Sequence, residues 1–118
     1  MPRQLFARSI VRIALTPLPP FVLLASSIWL ARSFSGWVTV PLHFLLLLAA
    51  HRAFQTIVHD ASHRLFSSRR VFNDILGDYL AGGFVGSSVA AYRGIHWQHH
   101  RFNGSVRDPE HGDLAKIK

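Results

Sequence analysis

Five histidines lie in two short segments of the chain, with about thirty residues between the segments. Residues 59–63 read His-Asp-Ala-Ser-His, and residues 96–100 read His-Trp-Gln-His-His. On a helix, histidines three or four positions apart share one face. Neutral imidazole is the commonest protein ligand for transition metals, so the two segments predict a metal site. Its candidate ligands are His59, His63, His96, His99 and His100.

Carboxylates near the two segments are candidates for orienting these imidazoles. A zinc site with an open position needs only three protein ligands, so a larger set predicts two metals or residues that support the ligands. A ligating histidine usually donates its other ring N–H to a carboxylate or a carbonyl oxygen. Asp60, Asp108 and Glu110 are candidates for that role, whereas Asp113 is better explained as a solvated or capping residue. Because the sequence has no cysteine, thiolate ligands are excluded.

The first segment alone also fits a different chemistry. His59-Asp60-x-x-His63 has the ligand spacing of the zinc protease motif His-Glu-x-x-His, although aspartate is one methylene shorter than glutamate. A zinc-dependent membrane hydrolase is therefore one alternative, but it does not explain the second segment. A membrane protein without enzymatic activity is another. The isolated His43 and His51 are interpreted as structural.

Composition indicates a membrane protein of one domain. Of 118 residues, 49% are hydrophobic and only 16% are charged, whereas soluble domains have roughly 25% charged residues. The formal net charge is +7. The arginines flank the apolar stretches and do not interleave with aromatic residues, which favours anionic lipid headgroups and argues against nucleic acid as a partner.

Two apolar stretches predict a transmembrane helical hairpin. We place its helices at about residues 14–32 and 37–58, joined by a turn around the glycine at position 36. Three prolines near the start of the first stretch predict that its regular helix begins near Pro20. Residues 21–31 and 40–63 are expected to be helical and antiparallel.

Charge and periodicity place the remaining segments. Three arginines precede the first apolar stretch and four lie between residues 52 and 70, so both histidine segments are expected on the cytoplasmic side. Apolar residues recur at helical spacing over residues 71–80, opposite Asn73, Asp74 and Asp78. This pattern predicts a helix lying on the membrane surface. Residues 82–88 are rich in glycine and serine and predict a loop or a loosely wound apolar stretch.

The combination of these features resembles one family. A His-x-x-x-His segment after a hydrophobic hairpin, then His-x-x-His-His, then Asp-Pro followed by an acidic residue, is similar to the integral-membrane fatty acid desaturase superfamily. The resemblance covers roughly residues 37–113. It implies an all-α membrane protein in which residues 1–118 form the N-terminal part of the desaturase-like domain.

The resemblance also implies chemistry and partners. Family members are non-haem di-iron oxygenases that use O2, receive electrons from a donor of ferredoxin or cytochrome b5 type, and desaturate or hydroxylate lipid acyl chains. All five histidines match the family's iron ligands. The family's third histidine segment, however, has no counterpart after residue 100, where His111 stands alone. We therefore interpret the chain as a fragment of a longer oxidoreductase and expect it to be inactive alone.

Overall fold

The protein is helical throughout the part that the structure describes. The computed structural model describes residues 14–109, and this range contains no strand. The all-α prediction is confirmed for that range. The principal helices are α1 (Leu18–Ser33), α2 (Thr39–Ser62), α3 (Arg70–Gly77) and α4 (Val89–Phe102). A π-helical turn, Asp78–Gly82, and a short α-helical turn, Gly83–Val85, connect α3 to α4.

Helices α1 and α2 form an antiparallel pair. The ring of Phe21, early in α1, packs edge-on against that of Phe54, late in α2, with centroids 5.3 Å apart. Ser27, later in α1, places its Oγ 3.0 Å from Nδ1 of His43, early in α2. Later residues of α1 thus meet earlier residues of α2, so the two helices run in opposite directions, as expected.

The two helices differ in their capacity to cross a membrane. At 16 residues, α1 is about 24 Å long, less than the ~30 Å of a hydrocarbon core. Thr16 and Pro17 form a turn, and α1 begins at Leu18 with proline in its first positions, where no backbone N–H is needed. The regular helix is therefore shorter than the predicted 14–32. Within the described residues, only α2, with 24 residues, is long and apolar enough to span.

A small apolar core surrounds the C-terminal half of α2. Ile57 and Val58 are essentially inaccessible to solvent, and burial of such side chains stabilises a fold by roughly 1.5–3 kcal/mol each. In contrast, Phe44 and Leu45 in the first half of α2 are exposed. The packed part of the molecule is thus the end of α2 that carries the first histidine segment. The core comprises Phe54, Ile57, Val58, Ala61, Phe66, Ala81 and Val89.

Helix α3 turns its polar residues toward the protein. Asn73 is completely buried and Asp74 is partly buried, although both lie opposite the apolar residues that the sequence pattern assigns to a membrane-facing side. The helix ends at Gly77, and the predicted residues 78–80 continue as the π-helical turn. Part of the apolar face is exposed instead, and its residues are Val71, Phe72, Ile75 and Tyr79.

The end of α2 explains why a polar side chain is buried here. The last carbonyl groups of a helix have no partner within it. Asn73 Nδ2 donates to the carbonyl oxygen of Ala61 at 2.7 Å. Its Oδ1 accepts from the backbone N–H groups of Phe66 and Ser67, each at 3.2 Å. One buried amide therefore joins the end of α2, the following loop and α3.

Asp74 forms an ion pair with Arg93 of α4. Arg93 Nη1 donates to Asp74 Oδ2 at 2.7 Å, and Nη2 donates to Oδ1. The hydrogen bonds from Arg93 lower the pKa of Asp74 from 3.8 to about 2. Because this pKa is lower in the folded state, the ion pair contributes stability above the unfolded-state pKa and loses it as pH falls through the folded-state pKa.

This linkage predicts an acid limb of unfolding. Between about pH 4 and pH 2, the protein should lose about 2 kcal/mol through protonation of Asp74. Asp74→Asn should remove that part of the pH dependence and be less stable than the unsubstituted chain at pH 7. Thermal unfolding in detergent, followed by circular dichroism at several pH values, measures both effects. Parallel pH profiles for the two proteins would contradict the prediction.

Candidate metal centre

The first histidine segment lies at the C-terminal end of α2. His59 is in the last turn of the helix, and His63 is the residue that caps it. Their ring centroids are 4.8 Å apart, as expected for side chains four positions apart on one helix face. The buried residues of α2 hold this end of the helix in the core, so both imidazoles project from a fixed backbone.

The second segment lies on α4, whose start is well defined. Ser88 is the N-cap and accepts a hydrogen bond from the backbone N–H of Ala91 through its Oγ. Asp78 Oδ1 accepts from the backbone N–H of Val89 at 2.6 Å. These contacts satisfy donors that a helix start leaves without partners. They fix α4 against the π-helical turn and direct its histidine face toward α2.

Four of the five predicted ligands converge between α2 and α4. Nε2 of His96 lies 2.9 Å from Nε2 of His63 and 3.0 Å from Nε2 of His100. The rings of His59 and His96 have centroids 4.7 Å apart. One ring nitrogen from each of His59, His63 and His96 falls within 4.8 Å of the others. Residues 33 positions apart in the sequence thus form one cluster.

The spacing of these nitrogens suits a shared metal ion. Metal–imidazole bonds of 2.0–2.1 Å place neighbouring ligand nitrogens roughly 2.9–3.4 Å apart. The separations of 2.9 Å and 3.0 Å around His96 Nε2 lie in that range. Nitrogen donors of this kind suit zinc, copper, iron or nickel.

Burial keeps the central imidazoles neutral. Desolvation, reinforced by the neighbouring histidines, lowers the pKa of His96 to about 4. Burial also lowers the pKa of His63, with further contributions from His59 and His100. A neutral ring retains the lone pair that binds a metal, so His63 and His96 are in their ligating form at neutral pH.

His99 stands beside the cluster and contacts a carboxylate. Its Nδ1 lies 2.9 Å and 3.0 Å from the two carboxylate oxygens of Asp108. Asp108 is only 2% exposed, and it also accepts from the backbone N–H of Gly104 at 3.3 Å. The ring of His99 is 6.1 Å from that of His96, farther than the other three histidines of the cluster. A carboxylate in this position orients an imidazole so that its opposite nitrogen can ligate.

The other two carboxylates predicted to orient imidazoles do not make a comparable contact among the described residues. Asp60 Oδ1 is 3.4 Å from Nδ1 of His59, a longer and weaker contact. Glu110 lies outside the described residues, as do His111 and Asp113.

A match to a known family accompanies this geometry. The model of the fatty acid desaturase family matches residues 35–118, about 70% of the chain. This chain belongs to the fatty acid desaturase family. The resemblance inferred from the histidine spacing is therefore confirmed. The family is generally metal-dependent, in keeping with histidines in this chain whose nitrogens can hold a metal ion.

One curated relative is named as a desaturase. Dihydrorhizobitoxine desaturase of Bradyrhizobium elkanii is 37% identical over 76 residues, which cover 64% of this chain and 21% of that protein. The chain thus spans about a fifth of the length of the relative it matches. No solved structure shows a significant match.

Membership of the desaturase family fits the apolar surface of the hairpin. The family match includes α2, the one helix in the described range with the length and hydropathy of a membrane span. Trp29 and Trp37, near the turn of the hairpin, are largely exposed, as are apolar residues along α2. Exposed side chains of this kind favour a lipid environment.

Two residues beside the histidine cluster of this desaturase-family chain were not predicted from the sequence. Tyr92 stacks on His96 with ring centroids 5.1 Å apart, and its hydroxyl lies 3.4 Å from His96 Nδ1. Arg93 is 8% exposed and bonds to the end of α2. Their positions four and three residues before His96 place them on neighbouring faces of α4, which was the available indication. The sequence could not show what they contact.

Proposed function

We propose that this chain provides part of the di-iron site of a membrane oxidoreductase that desaturates or hydroxylates a lipid acyl chain with O2. The convergence of His59, His63, His96 and His100 on one point, in a chain of the fatty acid desaturase family, is the observation that carries the proposal. Imidazole ligands without thiolates suit iron in an oxidising role.

The histidines have distinct parts in this proposal. His63, His96 and His100 would hold one iron through their Nε2 atoms, and His59 would complete that side of the site. His99 is assigned to the second iron, because Asp108 engages its Nδ1 and thereby selects Nε2 for ligation. Tyr92 holds the ring of His96 by stacking on it. When bound, the iron pair would supply the oxidising power needed to break unactivated C–H bonds.

The stoichiometry of desaturation implies an electron donor. Removal of two hydrogen atoms from a methylene pair supplies two electrons and two protons, whereas reduction of O2 to two waters consumes four of each. Two further electrons and two protons are needed in each cycle. We propose a protein of ferredoxin or cytochrome b5 type as their source.

The surface of the protein favours delivery of substrate from a bilayer. The apolar side chains exposed on α2 suit lipid, and the arginines after the hairpin suit the cytoplasmic side. We therefore propose an integral membrane protein whose histidine cluster lies just beyond the cytoplasmic interface. There it can receive an acyl chain attached to a lipid or a carrier.

A zinc hydrolase is the second candidate, and one observation favours it. His59, His63 and His96 would satisfy the three-ligand requirement of a catalytic zinc ion. A zinc hydrolase would give no role to His100, although it contacts His96. It would also give no role to the His99–Asp108 pair. The family match favours iron and oxidation.

The test is lipid analysis after expression of the complete gene product in host membranes. New double bonds or hydroxyl groups should be found in the acyl chains with the unsubstituted protein and should be lost with either His63→Ala or His99→Ala. His51→Ala is the matched control, since His51 lies on α2 away from the cluster and bonds to Gln55. Persistence of the products in either variant would exclude the assignment.

A further inference from the structure

A buried arginine joins the two helices that carry the histidines. Arg93 Nε donates to the carbonyl oxygen of Ser62 at 2.9 Å, and its Nη2 donates to that of Ala61 at 3.1 Å. The same guanidinium forms the two-bonded ion pair with Asp74 on α3. Arg93 therefore contacts α2 and α3 from a backbone position on α4.

These contacts lie next to the cluster on both sides. Ser62 immediately precedes His63, and Arg93 precedes His96 by three residues, or nearly one helical turn. A change in how Arg93 meets the end of α2 would therefore alter the 2.9 Å separation between the Nε2 atoms of His63 and His96.

The backbone after His63 increases the need for such a contact. Arg64 has a φ of 58°, a left-handed conformation that is uncommon for residues other than glycine. The chain thus turns away from the helix axis directly after the ligand. The last carbonyl groups of α2 lie at this turn and have no partner within the helix. Arg93 and Asn73 donate hydrogen bonds to them.

We propose that Arg93, held by Asp74, is a positioning residue that fixes the distance between the two histidine segments and so sets the metal affinity of the cluster. This inference rests on the proposed metal centre and assigns a role to residues outside the ligand set. A guanidinium suits the role because its planar donors can bond a carboxylate and two carbonyl groups at once, which a lysine ammonium cannot do in the same geometry.

Arg70 offers a matched control. Its Nε lies 3.8 Å from the same carboxylate of Asp74, but its side chain is 61% exposed and makes a weaker contact. Removal of Arg70 deletes one positive charge near Asp74 while the bonds from Arg93 to the carbonyls of α2 remain. Comparison of the two arginines therefore separates positioning from the general effect of charge.

The experiment is titration of Co²⁺ into the intact metal-free chain in detergent, followed by visible absorption. Arg93→Met should weaken Co²⁺ binding by roughly 10- to 100-fold, the usual effect of losing a residue that orients ligands, and should change the absorption bands. Arg93→Lys should not restore affinity, whereas Arg70→Met should bind like the unsubstituted chain. Helix content is measured in parallel by circular dichroism.

A purely structural role would give a different result. It would lower the unfolding temperature of Arg93→Met while the folded protein kept the same affinity and spectrum, and that outcome would overturn the inference. If Arg93→Met does not fold, Asp74→Asn takes its place, because its amide preserves the shape of the carboxylate. Its Co²⁺ affinity should fall, and unchanged affinity would also overturn the inference. No Co²⁺ binding by the unsubstituted chain would instead refute the metal centre itself, and the positioning role with it.

Discussion

Replacement of His96 by alanine should abolish metal binding by the purified protein. His96 is the centre of the cluster, since its Nε2 lies within 3.0 Å of the Nε2 atoms of both His63 and His100. It is also the most buried of the five histidines, at 5% exposed. Its removal deletes a ligand and the ring that spaces its neighbours. The loss of affinity should therefore exceed the roughly 10- to 100-fold that follows loss of an orienting residue.

Metal retention after purification measures this effect, with iron and zinc determined on the same samples. His51→Ala provides the control, because it removes an imidazole from α2 that bonds to Gln55 and lies about two helical turns before His59. That variant should retain as much metal as the unsubstituted protein. If His96→Ala retained as much metal as the unsubstituted protein, the cluster would not be the binding site.

Gly77→Ala should cause a large loss of stability. A Cβ at position 77 would lie 2.6 Å from Cβ of Ala61 and 2.7 Å from Cγ2 of Val89, both in the core. Helices α2 and α3 and the start of α4 meet here, so neither neighbour can withdraw without moving a helix. Overpacking of this kind costs roughly 1–3 kcal/mol, or more where the backbone cannot adjust. The unfolding temperature should fall by several degrees.

Gly83→Ala is the control for this substitution. Gly83 has helical dihedral angles, and a Cβ there meets no atom within 4 Å. Alanine should be neutral or slightly stabilising at this position, by roughly 0.5–1 kcal/mol in a helical segment. Thermal unfolding of both variants in detergent, monitored by circular dichroism, provides the comparison. A similar unfolding temperature for the two would mean that the three segments do not pack closely at Gly77.

The helices of the hairpin and the shared face of His59 and His63 could be predicted because both follow local rules. The length of the apolar stretches and the placement of proline locate α1 and α2, and the rings of His59 and His63 share one face of α2, as their four-residue spacing predicts. The pairing of residues 27 and 43 across the hairpin follows from the short turn between two apolar helices. Such features depend on neighbours in sequence.

The arrangement around the cluster depends instead on contacts distant in sequence. Whether His99 faces the other histidines or Asp108 is decided by the turn after α4, which brings that carboxylate back to the helix. The inward orientation of Asn73 follows from its hydrogen bond to the carbonyl oxygen of Ala61, twelve positions earlier, which has no partner within α2. Apolar periodicity indicated α3 and histidine spacing indicated a helix at residues 96–100, but neither pattern shows which polar groups these helices contact.

The most direct test of the proposed function is the number and identity of the metal ions in the complete gene product, purified from membranes without added metal or chelator. Elemental analysis should give two iron ions per chain, with zinc absent, and iron should be lost in His96→Ala. One zinc ion per chain, unchanged when His99 and His100 are both replaced by alanine, would contradict the di-iron assignment and favour a hydrolase.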